Sequence, residues 1–262
     1  MNIYWYIVSA LSLAVFTCGY ISAVYEIKKQ DYESWEHYHQ CYTLDTKRLF
    51  SCLEYNPLEI IDRLAKKAGI KSPEIIFPEY DEETNVFVLQ GEEGPYLVIS
   101  PVLIGDLNEK QFEGVAAHEI GHIVSGRRGL NWLYFHNGFL ECFKISLLGI
   151  ALLFVSSPLH PSLAITQIWL TILFGVLSML CLIMMGHIIR LSEYEADHFA
   201  IILSSEPEAF IELLDIFFGR DLSFCSESTI EKISSIILQT HPPTPKRTAR
   251  LRRDLKILRK NK

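Results

Sequence analysis

The sequence predicts an α+β fold, mainly helical, with a small antiparallel sheet and about three transmembrane helices. Three observations point there. Long charge-free runs lie at Ile3–Val24 and between Lys144 and Arg190. Apolar residues recur at helical spacing through much of the remaining chain. Short β-rich stretches, "EIIF", "NVFVLQ" and "YLVISP", cluster ahead of residue 102. A hydrophobic share of 49% agrees with a chain partly in lipid.

The first run is about long enough to cross a hydrocarbon core of roughly 30 Å. No positive charge precedes it, and Lys28 and Lys29 follow it. We therefore expect an uncleaved anchor over residues 1–26, N-terminus outside, with the following chain in the cytoplasm. Residues 27–56 form a juxtamembrane segment that mixes aromatic and charged residues without a clear period.

Residues 57–262 carry the remaining signals. "PLEIIDRLAKKAGI" predicts an amphipathic helix ended by Gly69. After the three strands, Asn108 and Gln111 are spaced as a capping box for a helix over Glu109–Ser125, with Gly126 available to end it. The uncharged run holds 45 residues, and Pro158 and Pro161 interrupt it. A hairpin at 139–189 follows, with arms at Phe139–Ser157 and Leu163–Ile189. Arg127 and Arg128 precede it and Arg190 follows, so both ends should be cytoplasmic. "PEAFIELLDIFFG" and "STIEKISSIILQ" then read as helices before "HPPTP" breaks the chain.

The C-terminal stretch Lys246–Lys262 holds nine Lys or Arg against Asp254, with Leu251, Leu255 and Leu258 at helical spacing. This is a basic amphipathic helix, either packed on the domain with a solvated basic face or touching anionic lipid headgroups.

Several function classes are excluded. A formal charge of -7 argues against general nucleic-acid affinity. The six cysteines form no CxxC pair, which removes a disulfide framework and a thiolate zinc site. No GxSxG elbow, P-loop or dinucleotide fingerprint is present.

"HEIGH" carries the chemistry. His118 and His122 lie one turn apart on one helix face, so both imidazoles can reach a single ion. Glu119 stands beside the first, where it could take a proton from metal-bound water. A catalytic zinc needs a third protein ligand. Glu193 in "EYEAD" is the foremost candidate, and Asp197, four residues on, could accept a hydrogen bond from a ligand histidine. Glu195 falls on another face, and His198 competes as a third histidine.

"HEIGH", a two-span hairpin, "EYEAD" and "HPPTPKR" together resemble the membrane zinc metalloproteases that include HtpX heat-shock proteases and CAAX prenyl proteases, gluzincins of the HExxH…ExxxD type. The resemblance runs from about Pro57 to Leu251 and includes "NVF" at Asn85–Phe87. It implies a zincin-like metalloprotease domain over 57–262, interrupted by the hairpin. By the same resemblance His118, His122 and Glu193 hold one Zn2+ per subunit, Glu119 is the general base and Asp197 orients a ligand. His241 and Arg247 match the family's His-Pro…Arg element near the active site, and either could donate to the oxyanion of the tetrahedral intermediate.

The implied activity is that of a membrane-bound zinc endopeptidase. Its substrates would be polypeptides, membrane or membrane-associated proteins among them, cleaved in quality control or processing. The implied location is an integral membrane protein of the bacterial inner-membrane type with a cytoplasmic catalytic domain. Two departures stand out: HtpX-like members have two spans before "HEIGH" where this chain has one, and Ser192 replaces the arginine that usually precedes the ligand glutamate. Two other readings compete: a non-catalytic receptor or adaptor retaining a structural zinc site, and a sensor-type metalloprotease serving signalling. Substrate gripped by strand addition along "NVFVLQ" is a further expectation.

Overall fold

The structure, a computed structural model, describes residues 3–40, 53–78, 86–90, 94–126, 134–145, 147, 161–218 and 242–260. The predicted helix in "STIEKISSIILQ", residues 156–160 of the turn "SSPLHPS" and His241 lie outside the described residues. The elements are α1 (Ile3–Gln40), α2 (Pro57–Ala68), β1 (Glu74–Ile76), β2 (Val86–Gln90), β3 (Pro95–Ile99), α3 (Pro101–Asp106) and α4 (Glu109–Ser125). Helix α5 (134–145) follows, then α6 (Pro161–Leu203), α7 (Pro207–Phe218) and α8 (Thr244–Lys260). The chain divides into two compact units, Met1–Lys29 with Gly129–Ile188, and Gln30–Arg128 with Ile189–Lys262.

In the first unit, Phe16 of α1 packs on Phe139 of α5 at 4.7 Å between ring centroids. His136 Nδ1 meets the Ser178 hydroxyl at 2.7 Å, tying α5 to α6. Helix α1 runs on to Gln40, well past the expected anchor, through a stretch with no visible sequence period. Among the described residues one segment, Ile168–Leu203, is long and apolar enough to cross a membrane, with mean hydropathy 2.5 and most of its apolar stretch unburied. Three such spans were expected; most of the hairpin's first arm lies outside the described residues. Ile168, Trp169, Ile172, Leu173, Val176 and Leu180 are exposed on α6, unlike a core helix of a soluble protein.

In the second unit, α2 begins at Asn56, whose side chain accepts from the Leu58 N–H, and ends at Gly69 with φ 74. That left-handed conformation suits glycine, and the predicted stop is where it falls. The three strands form one sheet in the order β1-β3-β2. β2 pairs antiparallel with β3, but β1 pairs parallel with it, Ile75 opposite Leu97. The sheet is therefore mixed, not antiparallel as expected. The short link between β2 and β3 imposes a hairpin, whereas the longer link from β1 leaves room to cross to the far edge of β3. Alternation in sequence carries no information about which edge a strand takes.

The main core joins Ile61 and Leu64 of α2, Leu97 and Ile99 of β3, and Phe112, Ala116, Ala117 and Ile120 of α4. These α4 residues recur at helical spacing and turn one face inward. Ile120 is fully buried; truncating it to Ala would cost about 2–5 kcal/mol. Glu113, also on α4 and buried, accepts from Arg63 of α2 at 3.0 Å and from the Ser205 N–H at 3.0 Å. Elsewhere α4 meets α6 at Gly121 and α7 at Gly114.

Candidate metal centre

Helix α4 starts in a complete capping box: Asn108 accepts from the Gln111 N–H at 3.0 Å and Gln111 accepts from the Asn108 N–H at 3.1 Å. This defines the helix start, and with it the phase at which His118 and His122 emerge. Gly121, between them, lets α6 come close. A Cβ there would lie 2.8 Å from Ala196 Cα and 2.9 Å from Phe199 Cβ. No side chain fits that gap without moving backbone.

Close packing brings Glu193 of α6 onto the two histidines. His122 Nε2 lies 3.2 Å from Glu193 Oε1, and His118 Nε2 lies 3.7 Å from Glu193 Oε2. One ligand atom from each of the three residues falls within 4.8 Å of the others. Metal–ligand bonds of about 2.0–2.2 Å at tetrahedral angles separate neighbouring donors by about 3.4 Å. Two imidazole nitrogens and a carboxylate oxygen at these spacings fit one divalent ion. His118 and Glu193 are buried, and His122 is partly open to solvent.

Asp197 backs the cluster from one turn further along α6. Its Oδ1 lies 3.1 Å from His118 Nδ1, the ring nitrogen turned away from Glu193. On its other side Arg247 of α8 donates from Nε to Oδ2 at 2.9 Å and from Nη2 to Oδ1 at 2.6 Å. Arg247 Nη1 also approaches Glu193 Oε2 at 3.8 Å. Burial by itself would raise the Asp197 carboxyl, but the Arg247 hydrogen bonds and the adjacent His118 ring outweigh it and hold the group below its usual range. For His122, burial works to lower the pKa, yet the Glu193 hydrogen bond and the charges of Glu119 and Glu193 raise it on balance. Arg247 is likewise raised: burial opposes its charge, and the hydrogen bond and charge of Asp197 more than offset that.

Glu119 is buried, and its charge acts on both His122 and Arg247. Glu195 is half-buried and His198 exposed, and neither joins the three-residue cluster. His118, His122, Glu193, Asp197 and Arg247 are thus brought together, while His241 lies outside the described residues.

Sequence reasoning missed Phe210. Its ring lies 5.7 Å from that of His118, and a Cβ at Gly114 would fall 2.5 Å from Phe210 Cβ. Bare Gly114 lets α7 press an aromatic wall against the histidine. "PEAFIELL" marks Phe210 as a core-facing helical residue, but nothing local says which neighbour it meets.

The profile described as Peptidase family M48 matches residues 57–255. A protease HtpX homolog of Chlorobium phaeobacteroides is 28% identical over 210 residues, covering 74% of this chain and 70% of its own. One from Pelodictyon phaeoclathratiforme is 30% identical, with coverage of 74% and 70%. Protease HtpX of Shewanella baltica is 25% identical, with coverage of 74% and 72%. The crystal structure of S. mikatae Ste24p shares the fold, with a TM-score of 0.51 and 16% identity over 93% of this chain. The chain spans 62% of the length of that structure.

Proposed function

The chain belongs to peptidase family M48, and from that premise we propose that it is a membrane-bound, zinc-dependent endopeptidase acting on polypeptides, membrane or membrane-associated proteins among them. The observation that carries this reading is the convergence of His118, His122 and Glu193 donor atoms within 4.8 Å, with the Glu119 carboxylate on the same helix. Two imidazoles and one carboxylate are the ligand set of a hydrolytic zinc that keeps an open position. The exposed apolar surface of α6 supports placement in a membrane. In this reading the anchor 1–26 and the hairpin 139–189 span it, and residues 57–138 and 190–262 face the cytoplasm.

When bound, zinc lowers the pKa of its water to about 7 and polarises the substrate carbonyl. Glu119 acts as general base: its carboxylate takes the proton as water attacks, then delivers it to the leaving amine. Asp197 Oδ1 stands 3.1 Å from His118 Nδ1, out of line for a hydrogen bond in this structure; accepting from that N–H would turn the Nε2 lone pair toward the ligand position. Arg247 has two of its donors on Asp197. That supports a positioning role for it, and the donor to the developing oxyanion is His241 or one of the remaining Arg247 N–H groups. Among the described residues strand β2 lies at a sheet edge, and it packs against α4, so an extended substrate added along it would run beside the zinc helix.

The test measures zinc content and proteolysis on detergent-purified protein. Glu193→Ala should lose both, and Glu119→Gln should keep the metal and lose cleavage. Full zinc in Glu193→Ala would demand another third ligand. Cleavage surviving Glu119→Gln would remove the assigned base, and a folded, zinc-loaded wild type without cleavage would favour a non-catalytic receptor.

A further inference from the structure

Helix α8 carries eight Lys or Arg against Asp254, in a chain of formal charge -7. Its inner face is accounted for. Arg247, Thr248 and Leu251 are buried, while Arg252 and Arg259 pair with Asp215 and Glu208 of α7. The opposite face is not. Lys246, Arg253, Lys256 and Lys260 recur there at helical spacing and are exposed. Arg253 meets Asp254 of its own helix at 3.3 Å; the three lysines have no ion-pair partner among the described residues. These four cations extend over about 21 Å of helix, too long a row for one small anion.

The height of this row can be read along α6. Arg190 closes its uncharged run, and Tyr194 follows about 6 Å further along the axis. The Arg250 guanidinium of α8 sits 4.6 Å from the Tyr194 ring centroid. The headgroup layer adds about 5–7 Å beyond the hydrocarbon on each side. Helix α8 therefore meets α6 at headgroup level if α6 crosses a bilayer. Ile257, 51% exposed, flanks the basic face as an apolar group able to enter that layer.

We propose that the outer face of α8, formed by Lys246, Arg253, Lys256 and Lys260, binds the anionic phospholipid headgroups of the bilayer that α6 crosses. This rests on the membrane reading above. A row of cations whose contact with α6 lies at headgroup height matches an anionic surface, and lipid bound along α8 would restrain the helix whose Arg247 holds Asp197.

The experiment places the full chain in nanodiscs of phosphatidylcholine alone or of phosphatidylcholine with phosphatidylglycerol, and follows amide hydrogen exchange in α8. Exchange should slow several-fold in the anionic discs only. The slowing should vanish at high salt and in the variant with Lys246, Arg253, Lys256 and Lys260 all replaced by Gln. Equal exchange in both discs, or slowing that persists in the variant, overturns the proposal. So does protection that rises with protein concentration and not with phosphatidylglycerol, which would mean a protein partner. Failure to enter discs at all would instead sink the membrane reading. Zinc content and cleavage in neutral discs report separately on the protease reading.

Discussion

Arg247 and Asp197 form a buried, two-pronged ion pair, with Nε–Oδ2 at 2.9 Å and Nη2–Oδ1 at 2.6 Å. It joins α8 to the turn of α6 that bears Glu193. Removing one partner of such a pair strands a buried charge and costs about 3–5 kcal/mol. Arg247→Gln should therefore lower the melting temperature and weaken zinc binding about 10–100-fold, as measured by chelator competition. Arg247→Lys should recover only part of both, because an ammonium cannot supply the fork. Unchanged metal affinity in Arg247→Gln would show that the pair holds nothing in place.

Gly121→Ala tests the helix contact. The new Cβ would meet Ala196 Cα at 2.8 Å, a backbone atom that cannot swing aside. Overpacking of this kind costs about 1–3 kcal/mol, and relief by separating α4 from α6 pulls the histidines off Glu193. Zinc content should fall while helix content by circular dichroism stays near wild type. Full zinc occupancy in the variant would mean that the gap is slack.

The zinc-free and zinc-loaded proteins should respond oppositely to pH. His122 has a folded-state pKa raised above its usual 6.5. Its contribution to stability is fully present below that value and is lost as pH rises through the folded pKa. The melting temperature of chelator-treated protein should thus fall in the window that opens above about pH 6.5, and His122→Gln should flatten the slope. Zinc affinity should rise over the same window, because protons compete for the same imidazole. Parallel slopes with and without metal would contradict the shared role of His122.

Strand β2 offers a substrate-binding test. Val88 pairs with Leu97 of β3, and β2 has no other strand neighbour among the described residues. Val88→Pro removes a backbone donor, worth about 1 kcal/mol net, or roughly a fivefold change. The kcat/KM for a peptide substrate should drop at least that far with zinc content retained, whereas Val88→Thr should be near neutral. An unchanged cleavage rate in Val88→Pro would place substrate elsewhere.

What the sequence determined by itself is local. The four-residue spacing of His118 and His122, the same spacing of Glu193 and Asp197, the Asn108 box and the Gly69 stop all follow from the geometry of a single helix. They specify which side chains share a face, and the structure keeps each of them. The tertiary structure decided which faces meet. That β1 lies parallel to β3, that Phe210 backs His118, and that Arg247 turns its fork to Asp197 depend on residues many positions apart. Those contacts are chosen by how the whole core packs, with bare glycines at 114 and 121 permitting the approach. Periodicity within one segment has no term for that choice, because burying a face rewards any partner of fitting shape.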